Sequence, residues 1–190
     1  MLIEEIKEYV KSTLSEKRYI HSLNTAEKCM ELAKKYNVDE EEAYLTGLVH
    51  DIAKEMGKEE LYEYAIKSNI TINEVEKVNK GMLHAKVGAD IIAKKYNFPE
   101  YMIKAIKYHN TSYANMDIFS KIIFIADKTE KGRDYPDVEY ARNLVNENID
   151  KGILYILDFI IKERILEGKT IHPESINSRN YIILNCKISE

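Results

Sequence analysis

Four apolar, helix-patterned segments of this chain run into a residue that is costly to bury alone. Leu45-Thr46-Gly47-Leu48-Val49 leads to His50-Asp51, His84 opens the pattern Ala85 to Tyr96, Met102, Ile103 and Ile106 lead to His109-Asn110, and the most apolar run, from Ile118, leads to Asp127. A fifth such residue, His21, borders the stripe of an earlier helix. Imidazoles and carboxylates at the edge of a core need partners, so a fold of this chain must either expose these residues or gather them. Neighbours on a helix diverge by about 100°, so His50 and Asp51 cannot meet one target without help from other helices. Together the six residues suggest a metal site with His50-Asp51 as its hub.

The periodicity predicts helices throughout. Leu2, Ile3, Ile6, Val10 and Leu14 form one stripe, and Ile20, Leu23, Ala26, Met30 and Ala33 form another over about Lys17 to Tyr36. Asp39 with Glu42 reads as a capping box for the helix that delivers His50-Asp51, with Gly57 closing that segment. A short helix buries Leu61, Tyr64, Ala65 and Ile66, whereas Ser68 to Met82 is irregular and readable as short helix or loop. Gly88, one turn after His84, allows close backbone approach, and Pro99 marks the next helix start. Ile118 to Asp127 could pass for a buried strand, but its polar flanks and helical neighbours favour a helix. After the turn Gly132 to Asp137 come two helices, from about Asp137 and from Lys151 through Ile165, ended by Gly168. Pro173 starts a short terminal one. No stretch alternates over strand length, and no repeat or linker divides the chain. The expected fold is all-α, one domain over 1–190.

Composition bounds the partners. The 190 residues are 45% hydrophobic and 32% charged with a net charge of -4, which suits a globular domain and gives no reason to expect nucleic acid as a partner. Cys29 and Cys186 are too few and too distant for a disulfide framework or a paired-cysteine zinc site, and a reducing cytoplasm suits them. The acidic, amphipathic start is unlike a signal peptide, and no apolar run reaches about 18 residues, so neither export nor a membrane is expected. The oligomeric state, a homodimer included, is left open.

Imidazole with carboxylate is the donor set of iron, manganese, cobalt or zinc, whereas magnesium and calcium prefer oxygen alone. Four histidines and two aspartates suffice for two divalent ions if one carboxylate bridges, and Asp51 is the natural bridge. Two such ions can clamp a phosphate and activate water. Lys54 lies on the helical face of His50 and Asp51, where it can bind phosphate oxygens. Arg18, Arg133 and His172 are further phosphate or leaving-group candidates. Taken singly, each histidine is as well explained by a structural hydrogen bond, Lys54 by solvation, and His172 by capping the last helix.

The order His21, His50-Asp51, Asp127 resembles the signature of HD-domain metal-dependent phosphohydrolases. Seven blocks resemble one branch, the YqeK family of symmetrical bis(5′-nucleosyl)-tetraphosphatases: Arg18-Tyr-Ile-His-Ser-Leu-Asn-Thr-Ala, Gly47-Leu-Val-His-Asp-Ile-Ala-Lys, Leu83-His-Ala-Lys-Val-Gly-Ala, Ala105-Ile-Lys-Tyr-His, Lys121-Ile-Ile-Phe-Ile-Ala-Asp-Lys, Gly132-Arg-Asp-Tyr-Pro and Ile171-His-Pro-Glu-Ser. The resemblance implies a single HD-domain helical bundle, core about 17–130, with a C-terminal helical extension, about 137–185, completing the nucleotide pocket. It implies a di-iron centre, with His21, His50, Asp51 and Asp127 on one metal and Asp51, His84 and His109 on the other. Asp51, Lys54 and Asp127 are the implied catalytic residues. The ADP contacts it implies are His21, Lys54, His84, His109, Asn110, Asp127, Arg133 and the loop Thr170, Ile171, His172, Pro173, Glu174 and Ser175. The implied reaction converts diadenosine tetraphosphate to two ADP by attack of a metal-activated hydroxide. Two alternatives stand beside it: an HD phosphohydrolase acting on nucleoside monophosphates or alarmones, and a non-catalytic helical RNA-binding module.

Overall fold

Asp117 starts the central helix by accepting the Ser120 backbone N–H at 2.8 Å, a side-chain cap that satisfies one of the donors every helix start leaves unpaired. The computed structural model describes residues 2–186, and in it this helix, α8 (Ile118–Thr129), is buried on nearly every side. Ile122, Ile123, Phe124 and Ile125 are fully enclosed, each contributing roughly 2 kcal/mol of apolar burial. A helix apolar all round belongs in the middle of a bundle. Here α8 packs against α2 (Glu16–Tyr36), α3 (Glu40–Val49), α7 (Glu100–Tyr108) and α10 (Ile149–Leu166). The described residues contain no strand.

The most extensive helix–helix contact is between α2 and α3, and Gly47 lies in it. A Cβ there would lie 2.8 Å from Cys29 Sγ and 2.9 Å from the Ala26 Cα, so only glycine lets the backbones meet. This contact rotates α2 away from the expected stripe. Its buried face is Ser22, Thr25, Ala26, Cys29, Leu32 and Ala33, and Ile20 and Met30 are exposed at 49% and 40%. Small side chains win the inward face because close approach favours them over bulkier ones. α1 (Leu2–Thr13) lies across α3 with Ile6 and Val10 buried.

On the other side of the bundle, α6 (His84–Lys95) pairs with α7, and α4 (Lys58–Lys67) lies against α6. Leu61 and Ala65 face inward on α4, but Ile66 is exposed. Gly57 is the N-cap of α4, at φ -59, and so opens a helix where a closing glycine was expected. Asp39 caps α3 through the Glu42 N–H at 2.8 Å, but the Glu42 carboxylate accepts from the Tyr101 hydroxyl, so that capping box is half-formed. The box forms instead at Asn73 and Glu76, where it starts α5 (Glu74–Val78) inside the segment that looked irregular. A 3-10 turn, Lys80–Leu83, then runs directly into α6. Pro99 stands at the N-cap of α7, where a helix start was expected.

The chain closes with α9 (Val138–Glu147), α10 and α11 (Pro173–Asn185). α9 and α10 cross at Gly152, where a Cβ would collide with Val145 Cγ2 and stand 3.1 Å from the Val145 backbone, and α10 rests on α8. No helix among the described residues is long and apolar enough to cross a membrane.

Candidate metal centre

Three of the four histidines reach the centre by the same local device. His50 follows α3, His84 follows the 3-10 turn and His109 follows α7, each as the C-cap residue. Helix ends leave carbonyls unpaired, and each ring meets one three residues back through Nδ1: His50 to Gly47 O, His84 to Gly81 O and His109 to Ile106 O, all at 2.7 Å. A carbonyl can only accept, so Nδ1 carries the proton and the neutral ring presents a bare Nε2. His21, on α2, is held by a carboxylate instead, with Nδ1 3.1 Å from Glu130 Oε1.

These Nε2 atoms converge on the two aspartates. Asp51 Oδ2 faces His50 Nε2 at 3.7 Å and His21 Nε2 at 3.8 Å, while Oδ1 faces His109 Nε2 at 3.2 Å and His84 Nε2 at 3.3 Å. Asp127 Oδ1 stands 3.0 Å from His21 Nε2 and 3.6 Å from His50 Nε2. His50, Asp51, His84, His109 and Asp127 are buried, and His21 lies at the rim. Two atoms of the group, His50 Nε2 and Asp51 Oδ1, are buried without a hydrogen-bond partner. Around Asp51 Oδ1 the reason is plain, since lone pairs face lone pairs at a little over 3 Å. Such an arrangement is repulsive unless a cation stands among the donors, and the donor set matches divalent transition metals. His21, His50 and Asp127 each offer a ligand atom within 4.8 Å of the others, as do His50, Asp51 and His109.

The charges agree. Burial pushes the Asp51 carboxyl up, but positive charge on His50, and hydrogen bonds that His109 and His84 make when a proton stands on Nε2 in the place a metal ion would take, hold it well below the usual carboxylate range. Asp127 is also held well below the usual carboxylate range, against its burial, by Lys128, His21 and His50. Burial pushes His109 down to about 3, so its ring is neutral and able to ligate at any working pH. For His50, burial lowers the pKa but Asp51 and Asp127 raise it further; carboxylates that favour a proton on Nε2 favour a metal ion there too.

A cleft of about 460 Å³ opens onto the cluster, with Asp51, His84, His109, Asn110 and Asp127 in its walls. Cations surround it. Arg18 Nη1 is 3.2 Å from Asp51 Oδ2, Lys54 Nζ lies 3.1 Å from His84 Nε2 and 3.8 Å from Asp51 Oδ1, and Arg133 and Lys128 pair with Asp127. Burial lowers the Lys54 pKa, partly offset by Asp51 and Asp127. The Thr170 to Ser175 loop stands apart from this cleft. His172 caps α11 by accepting the Glu174 N–H at 3.2 Å, Ser175 Oγ donates to Thr111 O at 2.8 Å, and His172 and Glu174 line an adjoining cavity of about 610 Å³ that shares Asn110 with the cleft. Thr170 and Pro173 are exposed and Ile171 is half-buried.

Glu130, Lys128, Ile160 and Arg164 are cleft or ligand neighbours that sequence reasoning passed over. For Glu130 a signal existed, because it follows Asp127 by one helical turn; nothing in the spacing connects it to His21.

Fold and site together define a helical domain whose helix ends pool imidazole and carboxylate donors for divalent metal. The model of the HD domain family matches residues 18–132, and this chain belongs to that family. It is 34% identical over 186 residues, 95% of this chain and 94% of the relative, to the "Bis(5'-nucleosyl)-tetraphosphatase, symmetrical" of Staphylococcus aureus. A relative of the same name from Halalkalibacterium halodurans is 30% identical, with 94% and 95% covered. A crystal structure from Clostridium acetobutylicum, described as a "predicted HD superfamily hydrolase involved in NAD metabolism", superposes with a TM-score of 0.91 at 36% identity over 96% of this chain and 97% of that one.

Proposed function

We infer that this protein is a metal-dependent hydrolase that cleaves diadenosine tetraphosphate symmetrically to two ADP. The observation that carries the reading is the set of bare Nε2 atoms turned onto both oxygens of Asp51; the names of near full-length relatives supply the substrate. Two divalent ions are proposed, His21, His50, Asp51 and Asp127 holding one and Asp51, His84 and His109 the other. Iron is the proposed metal, on the family resemblance and a donor set that also suits manganese, cobalt and zinc.

When bound, the ions supply Lewis acidity for the phosphoryl oxygens and for activation of the attacking water. The chain's own residues do the rest. Asp51 and Asp127 stay ionised, because their pKa values are depressed, and keep the ligand rings aligned. Lys54, on a flexible stem in the cleft wall, offsets charge on the phosphates, and Arg133 and Arg18 take oxygens of the leaving diphosphate. ADP leaves as a weakly basic phosphate oxygen and needs little protonation. The proposed seat of one nucleoside is the cavity next to the cleft, bounded by Asn110 and the Thr170 to Ser175 loop, which would fix the central bond over the metals. His21, His84, His109 and Asp127 would then meet the substrate from the metal side.

Product identification tests the reading. Protein purified anaerobically and loaded with ferrous iron or manganese is expected to yield ADP alone from diadenosine tetraphosphate, and ATP with AMP would refute the symmetric register. In Lys54→Ala, metal content is expected to survive while kcat falls by roughly 10- to 100-fold; unchanged kinetics would make Lys54 a bystander.

A further inference from the structure

A symmetric substrate cut at its centre has two identical halves; the leaving half departs opposite the attacking water and the retained half stays on an equatorial oxygen of the reacting phosphorus, so the two run from the metals in different directions and need separate seats. The cavity beside His172 accounts for one half. On the other side of the metal cleft, Arg18 and Arg133 line both the cleft and a second cavity of about 320 Å³, near the roughly 300 Å³ at which small-ligand sites begin. His21 stands in the wall between, with Arg133 Nη2 3.4 Å from its Nε2. A diphosphate arm leaving the metals on this side would pass between two guanidiniums, which bind phosphate oxygens in pairs.

The rest of that cavity has a nucleoside's chemistry. Ile20 contributes an apolar surface that is 49% exposed, against the burial its place in the α2 pattern predicts. Asn24, one turn further along α2, offers an amide with both donor and acceptor. Gly132 makes room for it, since a Cβ there would stand 3.0 Å from Asn24 Nδ2.

We propose that the cavity formed by Ile20, Asn24 and Gly132, entered between Arg18 and Arg133, is the subsite for the second nucleoside of the dinucleotide. The proposal rests on the hydrolase reading above. The base packs on Ile20, Asn24 meets its polar edge, and the two arginines hold the diphosphate between base and metals. The second nucleoside then tightens productive binding, and a substrate without it binds more weakly.

Steady-state kinetics of metal-loaded wild type, Ile20→Asp and Asn24→Ala test this with two substrates, diadenosine tetraphosphate and adenosine 5′-tetraphosphate, which lacks the second nucleoside. Both sites are on the helix surface or at a cavity wall, so folding and metal content should stay at wild-type values. Each variant is expected to raise KM for the dinucleotide about tenfold with kcat changed far less, and to raise KM for the mononucleotide by a much smaller factor, the coupling expected when substitution and missing group belong to one contact. Unchanged KM for the dinucleotide, or equal rises for both substrates, would overturn the subsite while leaving the hydrolase reading intact. A wild type that leaves the dinucleotide uncut would overturn both.

Discussion

Asp51→Ala is expected to empty both halves of the metal site and to lower kcat/KM on diadenosine tetraphosphate by at least about 10³-fold. Its two oxygens face different pairs of histidines, Oδ2 toward His21 and His50 and Oδ1 toward His84 and His109. Asp127 approaches only His21 and His50, so no second carboxylate can take over the His84 and His109 side. The helices themselves do not depend on Asp51, whose side chain caps none of them, so far-UV circular dichroism should be unchanged. Elemental analysis of the anaerobically purified variant decides the matter, because full metal stoichiometry would be incompatible with a bridging carboxylate.

The second large effect is expected from packing alone. Gly47→Ala places a methyl against the Ala26 backbone at 2.9 Å as well as against Cys29 Sγ, and a backbone contact cannot be relieved by a change of rotamer. Overpacking of this kind should cost about 3 kcal/mol, a fall in Tm of roughly 10 °C for a chain of this size. Because α2 carries His21 and α3 leads to His50, forcing the helices apart should also weaken metal binding. Gly57→Ala is the control: its nearest neighbours lie 3.9 Å away and its φ is ordinary, so about 1 kcal/mol or less is expected. Equal thermal melts for the two variants would show that close approach at Gly47 carries no special weight.

Much of this architecture is legible in the sequence. The helical periods, the cap at Asp39, the buried run from Ile118 and the placing of His50, His84 and His109 at helix boundaries are all local properties, set by spacing within a turn or two. The misreadings are equally local in origin. Ile20 and Met30 look like core because they are apolar, but which side of α2 faces inward was decided by Gly47 on another helix. The box expected at Asp39 and Glu42 lost its second half to Tyr101, and Gly57 begins α4 because a glycine at φ -59 has no need to end anything.

The site divides in the same way. Composition and pattern by themselves determined an all-helical chain with six residues that must find partners, and the resemblance in its motifs named the chemistry those partners serve. Only the tertiary structure decided that Nδ1 of three rings would be taken up by their own helix-end carbonyls, that Glu130 would hold the fourth, and that both oxygens of Asp51 would face bare nitrogens. It also decided which cavities adjoin the cleft, with Asn110 shared on one side and Arg18 and Arg133 on the other. The physical reason is range. Periodicity and capping act over a few residues, whereas the direction in which a buried lone pair points depends on helices brought together from across the chain.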